Sequence, residues 1–169
     1  MGRPGAERLG RRGLTEAGKQ VVARNRKAGR DYFLEERFEA GIVLRGTEIK
    51  SVRSGQVSLQ EAHVRIAAGE AWLMNAHIAA YAPASRTNHE PRRPRKLLLH
   101  RRELNELAGG ITRGGYTVVP TQLYLWRGRA KLELALARGK RKYDKRQELA
   151  DRDAQREVER ALRGKRVLR

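Results

Sequence analysis

The chain has 169 residues, with 38 Lys and Arg against 19 Asp and Glu, a formal charge of +19, four His and no Cys. At ~150 residues per domain this is one domain with tails, and its Leu, Ile, Val and Phe number only 36, near the lower limit for a chain that folds. Without cysteine there is no disulfide scaffold, thiolate zinc site, iron–sulfur cluster or thiol nucleophile; with no apolar run of ~18 residues and no apolar signal core, a reducing cytoplasm is the expected compartment.

Apolar residues concentrate between positions 31 and 137, so a barrel-sized core (19–137) is expected between a disordered basic arm (1–18) and a basic tail (138–169). Val21-Val22-Ala23 and the following Asn25-Arg26-Lys27-Ala28 predict a short helix stopped by Gly29. Phe38, Ala40, Ile42 and Leu44 alternate with Glu39, Gly41, Val43 and Arg45, the period of a half-buried strand. Thr47–Arg53 breaks that alternation and reads as a bend or one helical turn. Ala62–Ile66 and Ala71–Ile78 flank Ala68-Gly69-Glu70 and predict a hairpin. Residues 82–96 read as a loop, with Pro83, Pro91 and Pro94 spaced among Arg86, Arg92, Arg93, Arg95 and Lys96. Arg101–Ala108 carries Leu104, Leu107 and Ala108 at helical spacing before a Gly109-Gly110 stop. Tyr116–Trp126 and Ala130–Ala137 flank Arg127-Gly128-Arg129 as the clearest hairpin. About six short strands and one helix predict a mainly β fold, a small antiparallel barrel rather than a two-sheet sandwich.

The tail changes character. Arg138–Arg146 is basic without apolar spacing, whereas 147–163 has a thin stripe of Ala150, Ala154, Val158 and Ala161. That stripe is marginal for a free helix; ordering against a polyanion is the expectation.

The charge makes a polyanion the expected partner. Nucleic acid leads over acidic lipid because the basic arms have no aromatic or Leu-rich face to insert. Tyr32, Phe33, Trp72, Tyr81, Tyr124, Trp126 and Tyr143 interleave with basic residues, as in barrels that stack unpaired bases. Trp72, Tyr124 and Trp126 fit a packing role equally well. The runs Arg92–Lys96 and Lys140–Arg146 are expected to meet phosphates. His63, His77, His89 and His100 lack metal-ligand spacing and read as ordinary hydrogen-bonded or solvated histidines. Glu39 and Glu48 are the one pair that could serve a magnesium nuclease; surface ion pairing is the stronger reading. No catalytic residue, metal or cofactor is expected.

Six blocks then occur in order: Asn25-Arg26-Lys27-Ala28 with Asp31–Glu36; Phe38–Leu44 with Gly46–Ser51; Arg95–His100; Gly115–Pro120; Lys140–Arg146; and Asp153–Glu157. Over roughly residues 21–163 the chain resembles the SsrA-binding protein (small protein B) family, bacterial partners of transfer-messenger RNA. The resemblance implies an oligonucleotide-binding (OB-like) barrel with accessory short helices. It implies that the barrel grips the tRNA-like domain of transfer-messenger RNA through Asn25, Glu39, Leu98 and Lys131, and delivers it to a stalled 70S ribosome for trans-translation. It further implies that Gly139, Lys140, Tyr143, Asp144, Lys145 and Arg146 meet the 16S rRNA decoding centre, with the 147–163 helix entering the empty mRNA channel. Elongation factor Tu and alanyl-tRNA synthetase are implied as indirect partners through the charged RNA. No membrane partner is expected, and a monomer is the default. The competing reading is a generic OB-barrel RNA-coating or ribosomal protein.

Overall fold

Thirteen elements follow one another along the computed structural model, which describes residues 18–84 and 87–166. They are β1 (Lys19–Arg24), α1 (Arg26–Asp31), β2 (Tyr32–Ile42), α2 (Gly46–Arg53), β3 (Val57–Ser58), β4 (His63–Ala67), β5 (Glu70–Met74), β6 (His77–Ile78), β7 (Arg95–Leu98), α3 (Arg101–Thr112), β8 (Tyr116–Trp126), β9 (Arg129–Gly139) and α4 (Lys142–Arg166). The expected basic arm, Gly18 excepted, lies outside the described residues, as do Arg86 of the Pro-rich loop and the last three residues of the tail.

Six strands close on themselves in the order β8-β4-β5-β7-β2-β9, with β9 pairing back onto β8. Every pairing is antiparallel. The fold is therefore the expected mainly β, OB-like barrel. Closure works because β8 pairs with β9 along one edge and shares its other edge between β4 and β1. The first half of β8 meets β4 at Val118, and its second half carries β1, with Gln20 opposite Leu125 and Arg24 opposite Gln122. Inside the ring, Phe38, Ala40, Val64, Leu73, Leu97, Val118, Leu123, Leu132 and Leu134 form one buried cluster. Each such leucine contributes roughly 2 kcal/mol of hydrophobic stabilisation.

Several elements differ from the sequence expectation. Val21-Val22-Ala23 is strand, not helix, because β8 offers it a free edge; α1 starts after it, with Asn25 as its N-cap. Residues 95–98 are strand β7, since Ala71, Trp72 and Leu73 of β5 pair with Leu97, Lys96 and Arg95. The second arm of the first hairpin stops at Met74, where Asn75 takes a left-handed conformation (φ 58°). The chain then pairs at Ile78 with Val57 in a separate two-stranded sheet. Helix α3 does not end at Gly109-Gly110 but runs to Thr112. Gly110 is helical for a packing reason: a Cβ there would stand 2.7 Å from Leu136 Cδ1. The tail helix begins at Lys142 rather than 147, with the Arg141 N–H donating to Asp144 Oδ2 at 3.3 Å.

The outer face of the hairpin is partly apolar too. Ala137 of β9 and Val119 of β8 are covered by Ala28 of α1. Helix α1 is held in place by Asn25: its Oδ1 accepts the Ala28 N–H (3.2 Å), and its Nδ2 donates to the Pro120 carbonyl (2.9 Å) at the β8 bulge. Proline is tolerated inside β8 because the register shifts there.

Candidate nucleic-acid interface

Strands β2 and β9 present their outward residues side by side: Glu39 faces Glu133, and Gly41 faces Lys131. Lys131 Nζ lies 2.5 Å from Glu39 Oε1, and the Tyr124 hydroxyl donates to the other Glu39 oxygen. Burial first, and then the hydrogen bond to Glu39, push the Tyr124 phenol well above its ordinary range; it stays a donor at any physiological pH. Lys131 Nζ also sits 4.7 Å from the Trp126 ring centroid, with Arg127 at 4.5 Å. Lys19 lies 4.0 Å above Tyr124. Tyr124 is buried, so of its two readings the packing one holds, while Trp72 and Trp126 are half-buried.

A groove of about 620 Å³ opens beside this network. Its lining includes Glu39 and Lys131, the apolar Ile42, Leu44 and Ile49, and His100 and Glu103 at the N-terminal end of α3. Leu98 projects into it at 55% exposure, packed over Gly41, where a Cβ would lie 3.3 Å from Leu98 Cβ. A glycine there lets β7 close on β2 while the leucine points outward. The groove thus combines an exposed apolar contact, a carboxylate and an ammonium, the mixture needed for a base, its amino edge or ribose hydroxyl, and a phosphate.

Three of the four expected RNA-gripping residues, Glu39, Leu98 and Lys131, converge here from separate strands. Asn25 does not. Both ends of its amide are engaged within the protein, and it lines another depression with Lys27, Gln60, Glu61 and His63. Its geometric role is to set α1 and the β8 bulge.

The tail residues are anchored to the barrel. Gly139 pairs with Tyr32, and the Lys140 N–H donates to the Asp31 carbonyl at 2.9 Å. Lys140 Nζ bonds the Gly29 carbonyl (3.2 Å) and Glu148 (2.5 Å), and Lys145 Nζ lies 3.4 Å from Asp31 Oδ1. Asp144 caps the start of α4, Tyr143 lies in its first turn, and Arg146 is exposed.

The run Arg92–Lys96 is corrected by the structure. Arg95 and Glu48 are fully buried as an ion pair at 2.8 Å, and Arg93 approaches the same carboxylate at 2.5 Å. Arg95 also donates to the Ala76 and Pro91 carbonyls, and Lys96 pairs with Glu70. Only Arg92 stays exposed without these ties. Burial pushes the Glu48 carboxyl up, but hydrogen bonds from Arg93, the Arg45 N–H and Arg95 outweigh it and hold the group below the ordinary carboxylate range. The magnesium-nuclease pairing of Glu39 with Glu48 fails on the same ground, since Glu48 has no exposure to a ligand. Among the described residues no cluster of three or more His, Asp or Glu could hold a metal, and no helix is long and apolar enough to cross a membrane. His89 is a core residue, its Nδ1 2.9 Å from Thr47 Oγ1 and its Nε2 2.9 Å from the Ile78 carbonyl.

A closed antiparallel barrel with a mixed-charge, partly apolar groove and a basic helix rooted at its rim is the architecture of the oligonucleotide-binding barrel class. The family model described as SmpB protein matches residues 22–164, and the chain belongs to that family. It is 59% identical to the SsrA-binding protein of Roseiflexus castenholzii over 145 residues, covering 85% of this chain and 92% of that one. The SsrA-binding protein of Acidothermus cellulolyticus is 59% identical over 152 residues, 90% of this chain and 95% of the relative. That of Geobacillus kaustophilus is 53% identical over 149 residues, 88% and 96% of the two chains. A solved chain described as "tmRNA-SmpB: a journey to the center of the bacterial ribosome" superposes with a TM-score of 0.61 at 47% identity, covering 71% of this chain and 85% of the other.

Proposed function

We propose that this protein binds the tRNA-like domain of transfer-messenger RNA in the Glu39–Leu98–Lys131 groove and carries it to stalled ribosomes for trans-translation. The observation that supports this most is the convergence of those three residues, from β2, β7 and β9, on one groove of about 620 Å³. Lys131 supplies the phosphate contact, Leu98 the apolar surface for a splayed base, and Glu39 an acceptor for amino or ribose donors. Tyr124 and Trp126 hold Glu39 and Lys131 in place. Asn25 acts through the position of α1.

The tail has the second task. Gly139, Lys140, Asp144 and Lys145 fix the direction in which α4 leaves the barrel, and Tyr143 and Arg146 lie in its first two turns, where the decoding centre of 16S rRNA is to be met. The rest of α4, with Arg152, Arg156, Arg160 and Arg163 on a solvated helix, suits an empty mRNA channel walled by rRNA phosphate. The protein works in the cytoplasm as a monomer, with elongation factor Tu and alanyl-tRNA synthetase meeting it through the charged RNA. Chemistry stays with the ribosome.

Leu98→Ala and Lys131→Ala test the groove. Each is expected to lower affinity for the isolated tRNA-like domain about tenfold or more while leaving the thermal unfolding midpoint within a few degrees. Wild-type affinity in both variants would contradict the assignment.

A further inference from the structure

Of the aromatic residues interleaved with basic ones, one is absorbed neither by the core nor by the groove. Phe33 is 37% exposed, whereas every other aromatic side chain described is buried or half-buried. It lies on β2 directly opposite Arg138 of β9, at the end of the barrel where the chain passes into α4. The Arg138 guanidinium is 5.7 Å from the ring centroid and Lys140 Nζ is 5.0 Å from it. Lys140 is tied to Glu148 and the Gly29 carbonyl. Arg138 is exposed and, among the described residues, has no carboxylate within ion-pair distance. Tyr116, also opposite Arg138, donates from its hydroxyl to Glu35 Oε1 at 3.1 Å, which keeps that carboxylate engaged.

We propose that Phe33 and Arg138, backed by Lys140, form a stacking site for one unpaired RNA nucleotide at the root of the C-terminal helix, separate from the Glu39–Leu98–Lys131 groove. An isolated exposed phenylalanine needs no explanation on its own. One flanked by two cations, one of them without an anionic partner, matches the two halves of a nucleotide: a π face for the ring and a phosphate for the guanidinium. An acidic peptide would satisfy Arg138 and leave the ring unused. The inference rests on the RNA-binding reading above and extends it to a second point of contact, which fixes one nucleotide where α4 departs.

The test uses the full chain and a fluorescein-labelled unstructured heptaribonucleotide, compared with the same backbone carrying abasic riboses. The wild type is expected to bind the base-bearing RNA about tenfold more tightly than the abasic one. Phe33→Leu should cut that preference to about twofold or less, Phe33→Tyr should keep it, and Arg138→Gln should weaken both RNAs by a similar factor with a shallower salt slope. Equal binding of base-bearing and abasic RNA by the wild type would overturn the proposal and mark the patch as a charge contact for any polyanion, an acidic peptide included. An undiminished preference in a folded Phe33→Leu protein would overturn it too, and if that variant does not fold, loss of the preference in Phe33→Tyr would do so. Failure of the groove assignment reads out separately, as unchanged binding of the tRNA-like domain by Lys131→Ala.

Discussion

Glu48 shows how a charge that looks available for RNA or metal can belong to the fold. It is fully buried, its two oxygens shared among Arg93, Arg95 and the Arg45 N–H. Removing one partner of a buried pair leaves the other charge uncompensated, at a cost of about 3–5 kcal/mol. Glu48→Gln is therefore expected to lower the stability measured by urea unfolding by that order. The carboxyl's pKa is held below its usual value in the folded state, so its contribution is complete above the unfolded-state pKa and disappears as pH falls through the lower, folded one. The wild type should lose stability in that acid range more steeply than Glu48→Gln. A parallel pH profile for the two proteins would contradict the pairing. Lys131 makes the opposite case at the surface. Its Nζ is shared between Glu39 and the Trp126 face, yet it borders the open groove. Lys131→Ala should reduce the log–log salt slope for tRNA-like RNA by about one phosphate contact.

At the scale of elements, Gly109 and Gly110 of α3 separate two roles that look identical in the sequence. Nothing lies within 4 Å of a Cβ built on Gly109, whereas one on Gly110 meets both Leu136 methyls inside 3 Å. Gly109→Ala should stabilise the protein by about 0.5–1 kcal/mol through helix propensity. Gly110→Ala should instead cost about 1–3 kcal/mol through overpacking. Calorimetric midpoints check both, and equal shifts would mean that α3 does not seat against β9. Long elements with one buried face were legible: the β8–β9 hairpin, the alternating strand through Phe38–Ile42, and the Leu104–Leu107 face of α3. Short ones were not. β1 and β7 owe their strand state to partners distant in sequence, Gln122–Trp126 and Ala71–Leu73, a tertiary effect that no local period records. The site was legible only through the family blocks. Glu39, Leu98 and Lys131 carry no shared spacing, and their meeting follows from barrel closure. The Glu48–Arg93–Arg95 cluster and the Phe33–Arg138 pair escaped because basic runs do not reveal which cation turns inward.

For the whole molecule, the division between barrel and tail falls later than the composition suggests. Arg138 and Gly139 still pair with Phe33 and Tyr32, and the Lys140 N–H completes the seam at Asp31. A chain ended after Arg141 should therefore fold and retain affinity for the tRNA-like domain, while tagging of nascent chains on stalled ribosomes is lost; ending after Ala137 should cost stability as well. On the proposed function, barrel shape, and not the charge of +19, selects the RNA. The most direct test is a salt-titrated competition in which the full chain holds labelled tRNA-like domain of transfer-messenger RNA against excess alanine tRNA and an unrelated hairpin. Shape recognition predicts a preference of ~100-fold or more that persists as salt rises. Equal competition by all three RNAs, decaying together with salt, would contradict it and leave a generic RNA-coating barrel.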